Sequence, residues 1–209
     1  VPAFACNAPL LVEGPVGLLE VFTGCPEVPA RNATAIVCHP HSLHGGTMQN
    51  KVVTTLAKTF ESLGAASVRF NFRGVGKSAG VFDHGVGETQ DLLAVAEWVR
   101  RERPKDVLWL AGFSFGAVVA LRVAGRLNLE RLVTVAPAVH LYDLTNLAAP
   151  TVPWLLVQGD QDEVVPANAV FEWVRALSQP PALEVLPGVG HYFHQRLHEL
   201  RDAVLKFYS

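Results

Sequence analysis

Short runs of branched and aromatic residues alternate with helical patterns along the chain, and this alternation leaves few architectures open. Leu10 to Glu13 and Val16 to Phe22, parted by Gly14-Pro15, read as an antiparallel pair at a sheet edge. Further strands are expected at Thr34–Cys38, Ser67–Phe72, Asp106–Ala111, Arg131–Ala136, Val152–Gln158 and Ala182–Leu186. Between them, Val52, Leu56, Phe60 and Leu63 recur at spacings of four and three, which predicts an amphipathic helix over 50–63 that Gly64 can cap. Helices are also expected at Glu88–Arg103, ended by Pro104, and at Phe115–Leu127, Ala167–Leu177 and Phe193–Tyr208. Strands buried on both faces and interleaved with helices predict the α/β class, a mostly parallel sheet of about eight strands covered on each side. In such folds ligands sit beyond the carboxyl ends of the strands, so functional residues should follow strands.

With 209 residues and no evident linker, the whole chain, 1–209, reads as a single domain. Half of the residues are hydrophobic and 17% are charged, which describes a globular chain. No apolar run approaches the ~18 to 20 residues of a membrane span. A net charge of −2 without a basic run leaves no electrostatic footprint for nucleic acid or an anionic membrane surface. The three cysteines, Cys6, Cys25 and Cys38, are an odd number without metal-ligand spacing, and Cys38 falls in an apolar run. A reduced, cytoplasmic setting is expected from them. The start "VPAFACNAPLLVEGP" shows no basic stretch leading into an apolar core, so no signal peptide is expected, although a missing initiator Met leaves room for a trimmed segment.

The stretch "NFRGVGKSAG", Asn71 to Gly80, carries letters of a phosphate-binding loop. That loop needs G-x-x-x-x-G-K-[ST], and the first glycine would have to stand where Asn71 does. It must also run directly into a helix, whereas Ser78 is followed by Gly80, Gly85 and Gly87. A glycine-rich turn leaving a buried strand is the expected structure, and no nucleotide is expected.

Chemistry enters with Gly112-Phe113-Ser114-Phe115-Gly116, set between an expected strand and an expected helix. This is the context of the G-x-S-x-G nucleophile elbow, a turn so sharp that side chains at its glycines would collide. A serine hydroxyl attacks only when a base takes its proton, and that base needs a third group to orient it. After the strand Val152–Gln158 comes "GDQDEVVP", offering Asp160 and Asp162; after Ala182–Leu186 comes "PGVGHYFHQRLH", with His191 in a loop and His194 and His198 at helical spacing. Ser, Asp, His is the chain order that the elbow predicts.

With these motifs the sequence resembles the α/β-hydrolase family over nearly its whole length, and looks like a small lidless esterase or dienelactone-hydrolase-like member. The family's acid lies in G-x-x-D-x-x-V, which here selects Asp162 and leaves Asp160 as a turn residue; its histidine follows the last strand after Gly, which selects His191. The resemblance implies an oxyanion hole built from the backbone N–H of Phe115 and a second N–H after the third strand. There "HPH" departs from the commoner His-Gly-x: Pro40 cannot donate, so the second donor is expected at His41, with Ser42 as alternate. The turn 73–78 is then expected at the rim of the site. Pro137 to Pro153 leaves no room for a substantial lid, which implies an open site walled by Phe113, Phe115, His140, Leu141, Tyr142 and Tyr192. Of these walls, Phe113, Tyr142 and Tyr192 are the expected substrate-binding residues.

The expected activity is hydrolysis of small acyl esters, without cofactor or metal. Peptidase, thioesterase and lactonase variants use the same machinery. One rival is a catalytically silent fold that serves as a binding module. Another is a metal-dependent hydrolase using His39 and His41, with Asp83, His84 or Asp160 recruited. His194 and His198, four apart, could share a metal but read better as solvated-face histidines.

Overall fold

The computed structural model describes residues 2–208. The expected strands all form: β1 (Pro9–Gly14), β2 (Gly17–Gly24), β3 (Ala33–Cys38), β4 (Ala66–Phe70), β5 (Val107–Phe113), β6 (Leu129–Val135), β7 (Trp154–Gly159) and β8 (Ala182–Leu186). They join one 8-stranded sheet in the order β1-β2-β4-β3-β5-β6-β7-β8. Only the pairs β1/β2 and β2/β4 are antiparallel. Every pair from β4 to β8 is parallel, and the strands inside that block are largely buried, whereas the edge strand β8 is mostly exposed. β3 and β7, for instance, are buried along their whole length, as a strand covered on both faces must be.

The helices are α1 (Lys51–Ser62), α2 (Val86–Glu102), α3 (Phe115–Ala124), α4 (Ala167–Ala176) and α5 (Leu197–Tyr208). Side-chain alternation along the strands builds two cores. Val52, Leu56 and Phe60 of α1 and Leu200 and Val204 of α5 pack on one face with Val37, Ala111 and Val157. Trp98 of α2, Val118 of α3 and Val170 of α4 pack on the other with Ile36, Leu110 and Leu156. Asn50 caps α1 by accepting from Val52 N–H at 2.9 Å, satisfying a donor that the helix itself leaves without a partner.

Several boundaries differ from expectation by one to four residues, α3 ending at Ala124 rather than Leu127 among them, and two differ for evident local reasons. α5 begins at Leu197 rather than at Phe193, because Phe193 and Gln195 hold φ of 54° and 57° and so cannot lie in a right-handed helix. β4 stops at Phe70 because the ladder is left half-made beyond it: Asn71 N–H still reaches the Glu20 carbonyl at 2.9 Å, but Glu20 N–H goes to Ser78 Oγ at 2.9 Å and Phe72 N–H to His39 Nε2 at 3.0 Å. Between β6 and β7 no helix or strand forms among the described residues, so the short connection carries no cap.

The turn 73–78 is indeed no phosphate loop. Glu20 of β2 occupies the place an anion would take: its Oε2 accepts from Lys77 N–H and from Asn71 Nδ2, both at 2.9 Å. A Cβ on Gly76 would lie 2.4 Å from that same oxygen. Ser78 closes the turn by donating its hydroxyl to the Asn71 carbonyl at 2.6 Å while accepting from Glu20 N–H at 2.9 Å. These bonds pull the turn toward β2, and residues 73–78 do not line the cavity described below, which corrects their expected place at the rim.

The cysteines also correct an expectation. Cys6 and Cys25 form a disulfide that ties the N-terminal segment to the end of β2, and Cys38 is buried and free. Disulfides persist in oxidising compartments, so the pair runs against a reduced setting. The odd count hid it because the third cysteine acts as core, its thiol pushed far up by burial. No helix among the described residues is long and apolar enough to cross a membrane. Thiol titration in denaturant should find a single reactive cysteine without reductant and all three after reduction; three at the outset would show that the pair does not form.

Candidate active site

Ser114 joins β5 to α3 with φ 55° and ψ −114°, outside the regions that L residues favour. Strain of that kind costs on the order of 1–3 kcal/mol and persists only where neighbours enforce it. Here they do. Ser114 N–H is held by the Val135 carbonyl at 2.9 Å, while the Ser114 carbonyl accepts from Ala117 N–H at 3.1 Å to start the helix. A Cβ on Gly112 would stand 2.2 Å from the Gly116 carbonyl oxygen, as the sequence argument required. A Cβ on Gly116 would meet a different neighbour, the carbonyl oxygens of Cys38 and His39 at 2.4 Å. The elbow is therefore wedged against the end of β3 as well as folded on itself.

His191 and Asp162 meet as the motifs implied. His191 Nδ1 lies 2.8 Å from Asp162 Oδ2, with side chains 2% and 1% exposed. A carboxylate only accepts, so this nitrogen carries the proton and Nε2 keeps a lone pair. Burial pushes the Asp162 carboxyl up, but the His191 contact and the N–H groups of Val165 and Val164 outweigh it and hold the group below the usual carboxylate range. Those N–H groups reach Oδ1 at 2.7 and 2.9 Å. Asp160 is elsewhere: its Oδ1 accepts from Gly188 N–H at 2.7 Å and braces the turn after β8. His194 and His198 do not converge, since His198 faces Glu199 at 3.7 Å and the His194 ring lies near Tyr192.

Two residues that the sequence reading missed touch this pair. Gln158, fully buried at the end of β7, donates Nε2 to Asp162 Oδ2 at 3.1 Å. Glu163 accepts from the backbone N–H of His191 at 3.1 Å. A polar residue in an otherwise apolar strand was the available signal for Gln158; Glu163 offered none beyond its place beside Asp162.

Ser114 and His191 line one cavity of about 140 Å³ at the carboxyl edge of the sheet. Phe115, His140, Leu141, Tyr142 and Tyr192 form its walls as expected, together with His41, His44 and Asn50. Phe113 does not line it. That ring is fully buried in the core with α1 and α5, and it packs against the His191 imidazole at 4.8 Å between centroids. Strand alternation explains the correction: Phe113 follows Trp109 and Ala111 on one face of β5 and enters their core, whereas the reversal at Ser114 sends Phe115 into the other.

The loop after β3 folds over this cavity. His39 is completely buried; its Nε2 accepts from Phe72 N–H, and its Nδ1 lies 2.6 Å from the Pro40 carbonyl. Both nitrogens are thereby engaged inside the protein, with Nδ1 the donor. His41 accepts Leu43 N–H on Nδ1 at 3.2 Å and stacks on His44 at 4.5 Å. Burial lowers its pKa, as do His44 and His84 nearby. Neither His41 N–H nor Phe115 N–H has an acceptor among the described residues. His39 and His41 do not form a metal site: among the described residues no cluster of three or more His, Cys, Asp or Glu could hold an ion.

Residues 32–149, more than half of the chain, match the family described as serine aminopeptidase, S33. The chain belongs to the α/β serine hydrolases. Its fold is shared with XC6422 of Xanthomonas campestris, described as an α/β serine hydrolase without lid: 49% identity, TM-score 0.96, covering 99% of this chain and 96% of that one. An α/β serine hydrolase homologue of Coxiella burnetii matches at 48% identity and TM-score 0.96 over the whole of both chains. The uncharacterized protein RP471 of Rickettsia prowazekii (strain Madrid E) is 36% identical over 180 residues, 81% of this chain and 76% of its own.

In this serine hydrolase His39 carries a pH signature. Burial lowers its pKa from 6.5 to about 4, against a smaller opposing effect of the Pro40 carbonyl. The unfolded chain therefore takes up the proton first, and stability falls as pH drops from 6.5 toward about 4. The loss should reach roughly 3 kcal/mol, at about 1.4 kcal/mol per pH unit. Denaturant unfolding at the two ends of that range should show it. His39→Gln, which keeps an acceptor for Phe72 N–H, should flatten the dependence by about that amount; an unchanged slope would place the acid sensitivity elsewhere.

Proposed function

We propose that this serine hydrolase cleaves small acyl esters through an acyl-enzyme, with Ser114 as nucleophile, His191 as base and Asp162 as its orienting acid. The observation that carries the reading is His191 itself: its Nδ1 is on Asp162 at 2.8 Å while its ring lines the same cavity as Ser114. With Nδ1 occupied, Nε2 is the nitrogen able to take the Ser114 proton. The serine oxygen attacks the acyl carbon, and the carbonyl oxygen gains charge that the N–H groups of Phe115 and His41 receive. His191, now an imidazolium beside the Asp162 carboxylate, protonates the departing alcohol. Water then enters, His191 takes its proton, and the same steps in reverse release the acid and free Ser114. Neither cofactor nor metal has a part in this scheme.

Size and lining support a small ester over the aminopeptidase activity named for the wider family. A cavity of about 140 Å³ below an uncapped connection suits short acyl groups. An aminopeptidase must hold an α-ammonium group, a task for a carboxylate. The described residues lining this cavity include four histidines, an asparagine, a serine and two tyrosines beside apolar groups, and no Asp or Glu.

A fluorophosphonate should label Ser114 alone, with no effect of EDTA; mass spectrometry locates the adduct. Absence of labelling would return the fold to a silent binding role. Ser114→Ala should lower turnover of a short-chain p-nitrophenyl ester by roughly 10⁶, and a variant retaining most activity would rule the mechanism out. Asp162→Asn should lower kcat by about 10⁴, since an amide accepts Nδ1–H poorly and invites the wrong tautomer. Steady-state kinetics on variants of unchanged fold measures both.

A further inference from the structure

Gln158 is the penultimate residue of β7 and has no exposed surface, in a strand otherwise made of Trp154, Leu155, Leu156, Val157 and Gly159. Its amide nitrogen has two partners, the Gly159 carbonyl and Asp162 Oδ2, both at 3.1 Å. Both partners only accept, so the nitrogen cannot exchange places with the oxygen. Its Oε1 is buried without a hydrogen bond among the described residues. An apolar side chain of equal length would fill the same space without stranding an acceptor, so the amide is a cost to folding. A cost of that kind calls for a return elsewhere.

We infer that Gln158 is a positioning residue for acyl transfer: its amide fixes the Asp162 oxygen on which His191 turns. Asp162 Oδ1 takes the N–H groups of Val164 and Val165, and Oδ2 takes Gln158 and His191. Three of these donors belong to β7 and the turn after it, and only His191 comes from the β8 side. Without Gln158, Oδ2 would keep His191 alone, and the carboxylate would be free to rock about its Oδ1 anchors. The imidazole would rock with it, and small losses of alignment at a base are costly in rate. The inference rests on the roles proposed above for Asp162 and His191.

The test compares wild type with Gln158→Met, an unbranched apolar replacement that removes both the donor and the stranded acceptor. Turnover of a short-chain p-nitrophenyl ester should fall roughly ten-fold in kcat, the size expected for a hydrogen bond to a charged group. KM should stay within about two-fold, and Tm should be unchanged or higher. A second readout needs no turnover: the far-downfield proton resonance of His191 Nδ1–H should shift or broaden by exchange in the variant. Wild-type kcat together with a wild-type resonance would overturn the inference. So would a kcat loss matched by a lowered Tm with the resonance unmoved, which marks a structural role. If wild type turns over no ester, the proposed activity fails and the resonance alone judges Gln158. Gln158→Leu replaces the Met variant if that one does not fold, and failure of both to fold makes the residue structural and overturns the inference.

Discussion

The close approach of the first turn of α3 to the ends of β3 and β5 sets the geometry of the whole carboxyl edge. Gly116 lies against the Cys38 and His39 carbonyls and Gly112 against Gly116, distances that any Cβ would abolish. With both glycines in place the chain can reverse within one residue, and that residue, Ser114, is left in a conformation it would otherwise avoid. The same wedge brings the end of β3 against the first turn of α3, where the His41 and Phe115 rings lie 5.3 Å apart between centroids. One steric fact thus places a hydroxyl, a helix N-terminus and a second strand end together, before any charged group is considered.

The residues proposed as partners of the serine arrive by a different logic. Asp162 and His191 follow adjacent strands, β7 and β8, whose pairing runs to Gln158↔Val185 and Gly159↔Leu186. The ladder thereby delivers two loops at matched height. Packing then finishes the alignment: Phe113 lies under the imidazole and Tyr192 beside it, with centroids at 4.8 and 5.0 Å. Burial raises the value of each hydrogen bond to the carboxylate and the cost of leaving one unmade. A buried acid with two donors on each oxygen is held by the strand that carries it, and the histidine is held by the acid.

What was legible in the sequence follows from how local each cause is. The elbow could be read because its glycines answer a steric demand within five residues, and the strands because burial on both faces leaves an apolar run. Asp162 could be chosen over Asp160 only through a family resemblance; the physical difference, N–H groups at 164 and 165 against one at 188, appears in three dimensions. The phosphate-loop spelling fails on its missing glycine, while the group that takes the place of an anion there, Glu20, lies far away in the sequence. The Cys6–Cys25 pair, the start of α5 and the direction of Phe113 escaped for a related reason. Each depends on a neighbour or a backbone angle that periodicity does not encode. Gln158 reads in one dimension as a flaw in a hydrophobic strand.

The proline in the loop after β3 fits this picture once the peptide unit is taken as the object being positioned. Pro40 supplies no N–H, so its carbonyl and the N–H of His41 are the two ends of a single planar group. The Pro40 carbonyl is bonded to His39 Nδ1 at 2.6 Å, and His39 is anchored on its other side by Phe72 N–H at 3.0 Å. In a trans peptide the N–H points opposite to the carbonyl, so fixing one end fixes the other. The His41 carbonyl is pinned in turn by Gly46 N–H at 3.0 Å, in a loop where a Cβ on Gly46 would strike the Pro40 oxygen. A buried neutral histidine therefore orients the N–H proposed above for the oxyanion. The usual glycine, which would leave that peptide free to flip, is replaced by a residue with a locked φ. That lock matters most in a site with no lid, where closure of a cap cannot be relied on to order the loop.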